Sequence, residues 1–217
     1  YVYAHSYSIV KERLKCKSSD ALKTKVEKVA FFVDITDQWL QHKQIEVKES
    51  TYEKYKYLIN SYIAPKIGQL TIQNVTADII EKFVIELLNT GNATGYQGLS
   101  PKTVSDILSV TKGILNYAES QGYRLNGNYK NISVKQFDKE MRVLNNEEQV
   151  QLTAYLCQNT DLYMLGTLIS LYTGIRVGEL CAMRWEDIDL NKKIIYIRKT
   201  LQRIPSESGM KKTHVVI

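Results

Sequence analysis

Between Phe31 and Glu119 apolar residues return at three- and four-residue steps, broken by short polar or glycine-bearing turns, and this rhythm predicts four successive helices. Asp34 stands ahead of Ile35, Trp39 and Leu40 as a start signal for the first helix. Ser50 and Glu53 have the spacing of a capping box ahead of Tyr52, Tyr55, Leu58, Ile59 and Tyr62. Ala64-Pro65-Lys66-Ile67-Gly68 is expected to stop that second helix, because proline lacks the donor and glycine frees the backbone. Thr76 is a candidate cap for the third, in which Ile79, Ile80, Phe83, Val84, Leu87 and Leu88 share one face. Ser100-Pro101 opens a fourth with a broad apolar stripe, Val104, Ile107, Leu108, Ile114, Leu115 and Ala118, and Gly122 sits where a C-terminal cap belongs.

The periodicity then lapses over the polar, basic stretch from Asn126 to Lys139, which reads as a connection between domains. Beyond it, Asn145 with Glu148 caps a helix carrying Val150, Leu152, Tyr155 and Leu156, and Asp161 opens another running through Leu165, Ile169 and Tyr172 to Gly174. After the turn at Asn191-Lys192, the run Lys193 to Arg198 reads as a strand, and Thr213 to Ile217 as a second, joined by a loop holding Pro205, Ser206, Ser208 and Gly209. Upstream, Tyr1 to Tyr7 alternates like a sheet edge, Ser8 to Leu14 turns helical and basic, and Cys16 to Lys28 reads as a linker. The expected fold class is therefore mainly α, a helical domain followed by the first part of an α+β one, with divisions at 1–30, 31–125, 126–140 and 141–217.

Composition narrows the partner. Apolar residues at 44% and charged residues at 24% suit a globular protein with a real core. No apolar run approaches the ~18–20 residues that cross a bilayer, and the first residues lack the order of a secretory signal, so no membrane partner is expected and the expected place is the cytoplasm. Cys16, Cys157 and Cys181 lack the spacing of a metal site and read as reduced thiols, two of them in the core. A net charge of +6 makes a polyanion a natural partner without identifying one.

The chemistry concentrates in the run from Tyr172 to Leu190: helix, glycine turn, helix, then strand. Arg176 follows Gly174 by two residues and precedes the next helix, so its side chain leaves from a rigid elbow. A guanidinium fixed there presents a planar fork to two non-bridging phosphate oxygens and offsets charge that builds during phosphoryl transfer. Glu179, three residues on, is placed to orient it. An isolated Thr-Gly-x-Arg also admits a plainer reading, in which Arg176 merely caps carbonyls of the preceding helix.

The longer string TGIRVGELCAMRWEDIDL resembles the box that carries the first catalytic arginine of the tyrosine recombinases, the family of phage-type integrases and other site-specific recombinases of prophages and integrative elements. The resemblance implies that Arg176 is catalytic, that Leu180, Met183, Trp185, Ile188 and Leu190 pack, and that Arg184 and Asp187 form a solvated ion pair. It extends backward: STYEKYKYLINSYIAPKIGQLTIQNVTADIIEKFV and GLSPKTVSDILSVTKGILNYA resemble the family's SAM-like core-binding domain, and YVYAHSYSIVKERL resembles the end of an arm-binding domain. By that analogy the N-terminal ends of the second and fourth helices approach DNA phosphates, which suggests Thr51, Tyr52, Lys54, Tyr55, Lys102 and Thr103 as contacts, with Lys112 and Lys139 behind them. Each has a structural counter-reading, since helix-face tyrosines are usually core and surface lysines are usually solvated.

What the resemblance implies for the whole protein is cutting and rejoining of double-stranded DNA at a recombination site through a 3′-phosphotyrosyl link, with no cofactor, no ATP and no metal. The active assembly would be four protomers on DNA, in a bacterial cytoplasm at the nucleoid. The family's second arginine box and tyrosine box have no counterpart here, the histidines being His5, His42 and His214, while Tyr172 and Tyr196 read as core. Lys211 or Lys212 is the candidate for the family's hairpin lysine, a general acid toward the leaving 5′-oxygen. A chain cut at both ends, binding DNA without completing strand exchange, is the resulting expectation. Two rivals remain: a helical DNA-binding regulator or accessory factor with no role for Arg176, and a type IB topoisomerase relative without site preference.

Overall fold

The computed structural model describes Lys11 and residues 29–90, 98–136, 140–159, 161–205 and 211–216, with the side chains from Pro205 onward left aside. The chain divides into two compact units, Tyr1–Gln136 and Phe137–Ile217. The readings of Tyr1 to Tyr7, Cys16 to Lys28, the turn at 91–97 and Lys139 lie outside the described residues.

The first unit is built on four main helices: α1 (Phe32–Glu46), α2 (Glu49–Leu58), α4 (Ala77–Thr90) and α5 (Pro101–Ser120), with a one-turn helix α3 (Ala64–Ile67) after α2. α1 buries Phe32, Ile35, Thr36 and Trp39, the one-face spacing of a helix laid on a core. Asp34 does not cap it. Phe31 occupies the cap position, and the first helical amides donate instead to distant carbonyls, Phe32 to Leu70 at 2.8 Å and Val33 to Gly68 at 3.0 Å. Those long-range bonds satisfy donors that a side chain otherwise serves.

Ser50 likewise lies inside α2 and not ahead of it, with Lys48 in the cap position and no side-chain cap bond. The expected stop at Pro65 is also corrected. The chain stays helical through a π-turn at Ile59–Ile63 and into α3, where Pro65 falls in the first turn, the place in a helix that needs no proline N–H. Ile59, Ile63 and Ile67 thereby all reach the core.

Local chemistry shapes the other ends as read. Thr76 Oγ1 accepts from the Ile79 amide at 3.4 Å, and Ser100 Oγ from the Thr103 amide at 3.1 Å with Pro101 in the first turn of α5. α5 ends in a Schellman arrangement, the Tyr123 amide donating to Ala118 and the Gly122 amide to Glu119, with Gly122 at φ 85°. Ile80, Phe83, Val84 and Leu87 of α4 close on Val104, Ile107, Leu108, Ile114, Leu115 and Ala118 of α5 in a single apolar cluster. The stretch read as a plain connection joins that cluster too: Tyr129 is buried and Ile132 and Val134 pack beside it. Lys112 of α5 holds the stretch, its ammonium donating to the carbonyls of Lys130 at 2.8 Å and Ile132 at 2.6 Å.

The second unit carries α6 (Asn146–Gln158), α7 (Leu162–Thr173), α8 (Val177–Ala182) and two antiparallel pairs. Asn145 and Glu148 form a complete capping box, and Asp161 accepts from the Met164 amide at 2.7 Å. β1 (Ile188–Asp189) pairs with β2 (Ile194–Ile195), shorter than the strand read over Lys193 to Arg198. β3 (Thr200–Pro205) was not anticipated; it pairs with β4 (Lys211–Val216), so Pro205 lies in a strand. Proline is tolerated there because β3, in a two-stranded pair, is an edge strand. Buried apolar side chains described in this unit are Leu156, Ile175, Ala182 and Ile204, and α7 buries none of its residues despite its apolar sequence. Cys157 and Cys181 are exposed and not in a disulfide, against the expectation of core thiols. Among the described residues no helix is long and apolar enough to cross a membrane.

Candidate active site and nucleic-acid interface

α7 terminates at Gly174, whose left-handed φ of 70° turns the chain away, and its amide closes the helix on Ser170 at 2.9 Å. Ile175 then anchors in the interior, and Arg176 takes the cap position of α8. Glu179 reaches back from the first turn: Oε2 accepts the Arg176 amide at 3.0 Å, and Oε1 lies 3.4 Å from Nη1 of the guanidinium. One carboxylate thus bonds the backbone of the arginine and lies beside its fork.

The rigidity read for Arg176 belongs to its backbone. The side chain is 85% exposed with that single long ion pair, because an arginine at a helix cap projects past the helix into solvent. Trp185 is 82% exposed and Leu190 is exposed too, so neither packs as expected. Asp187 is buried instead, its carboxylate accepting the Arg184 amide at 3.1 Å and its carbonyl accepting from Tyr196 at 2.9 Å, which ties the turn after α8 to β2. Arg184 pairs with Glu186 at 3.3 Å and not with Asp187. The three-residue step from Arg184 to Asp187 was the available signal for this turn. Tyr172 and Tyr196 are exposed, and Arg198 stacks over the Tyr196 ring at 4.9 Å.

α8 is pressed against β3. A Cβ built on Gly178 would stand 2.6 Å from Thr200 Oγ1 and 3.0 Å from the Leu201 carbonyl oxygen, so glycine is what lets the two elements approach. Backbone pairing sets Lys211 opposite Pro205 and Lys212 opposite Ile204.

In the first unit the residues suggested for DNA lie on α2 and α5, and two of them come together. Lys54 of α2 and Lys102 of α5 meet on one carboxylate, Asp106: Lys54 Nζ is 2.8 Å from Oδ2 and Lys102 Nζ 3.3 Å from Oδ1. The Lys54 hydrogen bond, helped by Lys102, holds the Asp106 carboxyl below the usual carboxylate range. Thr51 and Tyr52 are half-buried on α2. Tyr55 leans on the Trp39 ring, centroids 5.2 Å apart, and packs against the core, which favours its structural reading. Thr103 shares a 2.9 Å hydroxyl bond with Ser100. Lys112 is committed to the two carbonyls named above and is not a free cation. Among the described residues no group of His, Cys, Asp and Glu is placed to hold a metal ion.

Two family models match, the N-terminal SAM-like domain of phage integrases over residues 31–88 and the phage integrase family over residues 142–216, together more than half of the sequence. The chain belongs to the phage integrase family. Among curated members, the protein IntQ of Escherichia coli (strain K12), named as defective, is 29% identical over an alignment of 185 residues, with 78% of this chain and 44% of IntQ covered. Two solved integrases share the fold. The Tn1549 transposon integrase, described in complex with transposon right end DNA, superposes with a TM-score of 0.67 at 20% identity, covering 86% of this chain and 57% of the other. The lambda integrase, described as a tetramer bound to a Holliday junction, does so with a TM-score of 0.61 at 15% identity, covering 98% and 62%. The chain thus spans under half of IntQ and about three-fifths of the solved integrases.

Proposed function

We propose that the protein to which these residues belong cuts and rejoins double-stranded DNA at a recombination site through a 3′-phosphotyrosyl intermediate, with Arg176 as a catalytic arginine. The observation that carries this is the elbow at Gly174–Arg176, where Glu179 holds the Arg176 backbone and lies beside its solvent-facing guanidinium, in a segment matching the family. Solvent exposure suits a group whose partner is a polymer laid on the surface. The fork would bind the non-bridging oxygens of the scissile phosphate and offset the charge of the transition state. Lys211 or Lys212 is the proposed general acid.

In this reading residues 31–125 form the core-binding domain, with Thr51, Tyr52, Lys54, Lys102 and Thr103 toward phosphates, and residues 141–217 the first part of the catalytic domain. Tyr55 is kept as a weaker contact. The lambda integrase tetramer motivates four protomers as the working assembly. The bacterial cytoplasm, at the nucleoid, is the proposed location. The 217 residues alone would bind DNA without completing an exchange, since no motif among them supplies the second arginine or the tyrosine.

The test is Arg176→Ala in the full-length recombinase, assayed on a nicked recombination-site duplex that traps the covalent intermediate. Cleavage should fall by roughly 10²–10³-fold, the usual loss for one transition-state donor, while gel-shift affinity stays within about twofold. Recombination at the unmutated rate would remove Arg176 from catalysis and leave a DNA-binding regulator.

A further inference from the structure

Lys54 and Lys102 come from different helices, yet each ends on a different oxygen of the same carboxylate, at 2.8 and 3.3 Å. Asp106 lies in the second turn of α5, one turn beyond Lys102, and its side chain is 28% exposed where those of Lys54 and Lys102 are 54% and 72% exposed. It also lines an open groove of about 380 Å³ with Trp39, Lys43, Lys54 and Tyr55. An anionic ligand arriving here therefore meets two exposed ammonium groups already engaged with a less exposed anion.

We propose that Asp106 sets the DNA affinity of this face by competing with backbone phosphate for Lys54 and Lys102. The inference rests on the DNA-contacting role proposed for those lysines and adds a residue that opposes it. In the free protein the cluster carries one net positive charge. When Lys54 turns to a phosphate, the 2.8 Å bond to Asp106 is lost and the carboxylate is left near a second anion, a repulsive arrangement. Lys102 is the neighbour that then balances it. Such a carboxylate lowers affinity for any duplex, because phosphate contact carries no sequence information. A protein that must leave random DNA to reach its site gains from that restraint.

Removing the charge frees roughly one phosphate-neutralising cation. Counterion release then steepens the slope of log K against log salt by about 0.9 and tightens binding by about eightfold at 0.1 M salt, taken relative to 1 M. The experiment is fluorescence anisotropy of the 217-residue chain on a random 30-base-pair duplex across ~50–300 mM salt, a range wide enough to fix the slope. Variants are Asp106→Asn, Asp106→Ser, Asp106→Glu and Lys54→Met/Lys102→Met, the last pair also combined with Asp106→Asn. Thermal melts establish that each is folded.

Asp106→Asn and Asp106→Ser should both bind tighter with the steeper slope, and Asp106→Glu should stay near the parent. The gain should vanish when both lysines are methionine. If the lysine changes weaken binding but neither neutral replacement tightens it, the competition by Asp106 is overturned and the DNA face stands. If the lysine changes leave binding untouched, the face itself is misassigned and the competition falls with it.

Discussion

The contact between α8 and β3 makes a quantitative prediction at Gly178. An alanine Cβ there would approach Thr200 Oγ1 to 2.6 Å and the Leu201 carbonyl to 3.0 Å. Ordinary close C···O contacts are ~3.3 Å, so the two shortfalls are about 0.7 and 0.3 Å. Thr200 can relieve the larger one by rotating its hydroxyl away, at roughly 0.5–1.5 kcal/mol for a displaced side chain. The Leu201 oxygen belongs to the backbone and cannot, so α8 must shift. Overpacking of this kind costs about 1–3 kcal/mol, against up to about 1 kcal/mol gained from alanine's better helix propensity. Gly178→Ala should therefore destabilise the second unit by about 1–2 kcal/mol, and Thr200→Ala in the same chain should recover only the smaller, hydroxyl-dependent part, because the Leu201 carbonyl stays in place. Differential scanning calorimetry reads this as a lower transition temperature, roughly 4–8 °C per kcal/mol for a unit of this size. A Gly178→Ala chain that melts at or above the parent temperature would show that the approach of helix and strand is not as tight as argued.

Further outcomes follow from single contacts. Gly174→Ala meets no atom within 4 Å but must hold φ 70°, so its cost is backbone strain of about 1–2 kcal/mol, and Gly174→Asn should cost less in the same melt. Lys112→Met removes two charge-assisted bonds to carbonyls and should destabilise the first unit by about 2–3 kcal/mol in urea titration, with Lys112→Arg intermediate. Ser100→Ala should lower stability by about 1 kcal/mol through loss of the α5 cap. The Asp106 carboxyl is depressed in the folded chain, so its stabilisation is complete above its unfolded value near 3.8 and is lost as pH falls below that. Acid unfolding of Asp106→Asn should accordingly be less steep below pH ~4 than that of the parent, an outcome checked by circular dichroism.

Features governed by neighbours in sequence were legible in advance. Ser100, Asn145, Asp161, Gly122 and Gly174 act within a few residues of themselves, and the structure uses each as its chemistry suggests. Features that depend on distant partners were not. The start of α1 is satisfied by carbonyls more than thirty residues away, which nothing near Asp34 announces. The run through Pro65 required a π-turn whose register no periodicity encodes. β3 was hidden because its hydrogen bonds go to a strand beyond a loop, and proline at its end argued against a strand at all. At the candidate site, the step from Arg176 to Glu179 was readable, whereas Asp106 was invisible from the side of Lys54, 52 residues earlier.

The uneven distribution of interior residues has a consequence for how the molecule breathes. α1, α2, α4 and α5 share one continuous interior, so their amides can exchange with deuterium only when that whole interior opens. α7 has partly buried but no fully buried residues, so its amides need a smaller excursion to meet solvent. Deuterium uptake along the chain should therefore be slow through α5 and fast through α7, leaving the elbow that carries Arg176 on the readily opening side.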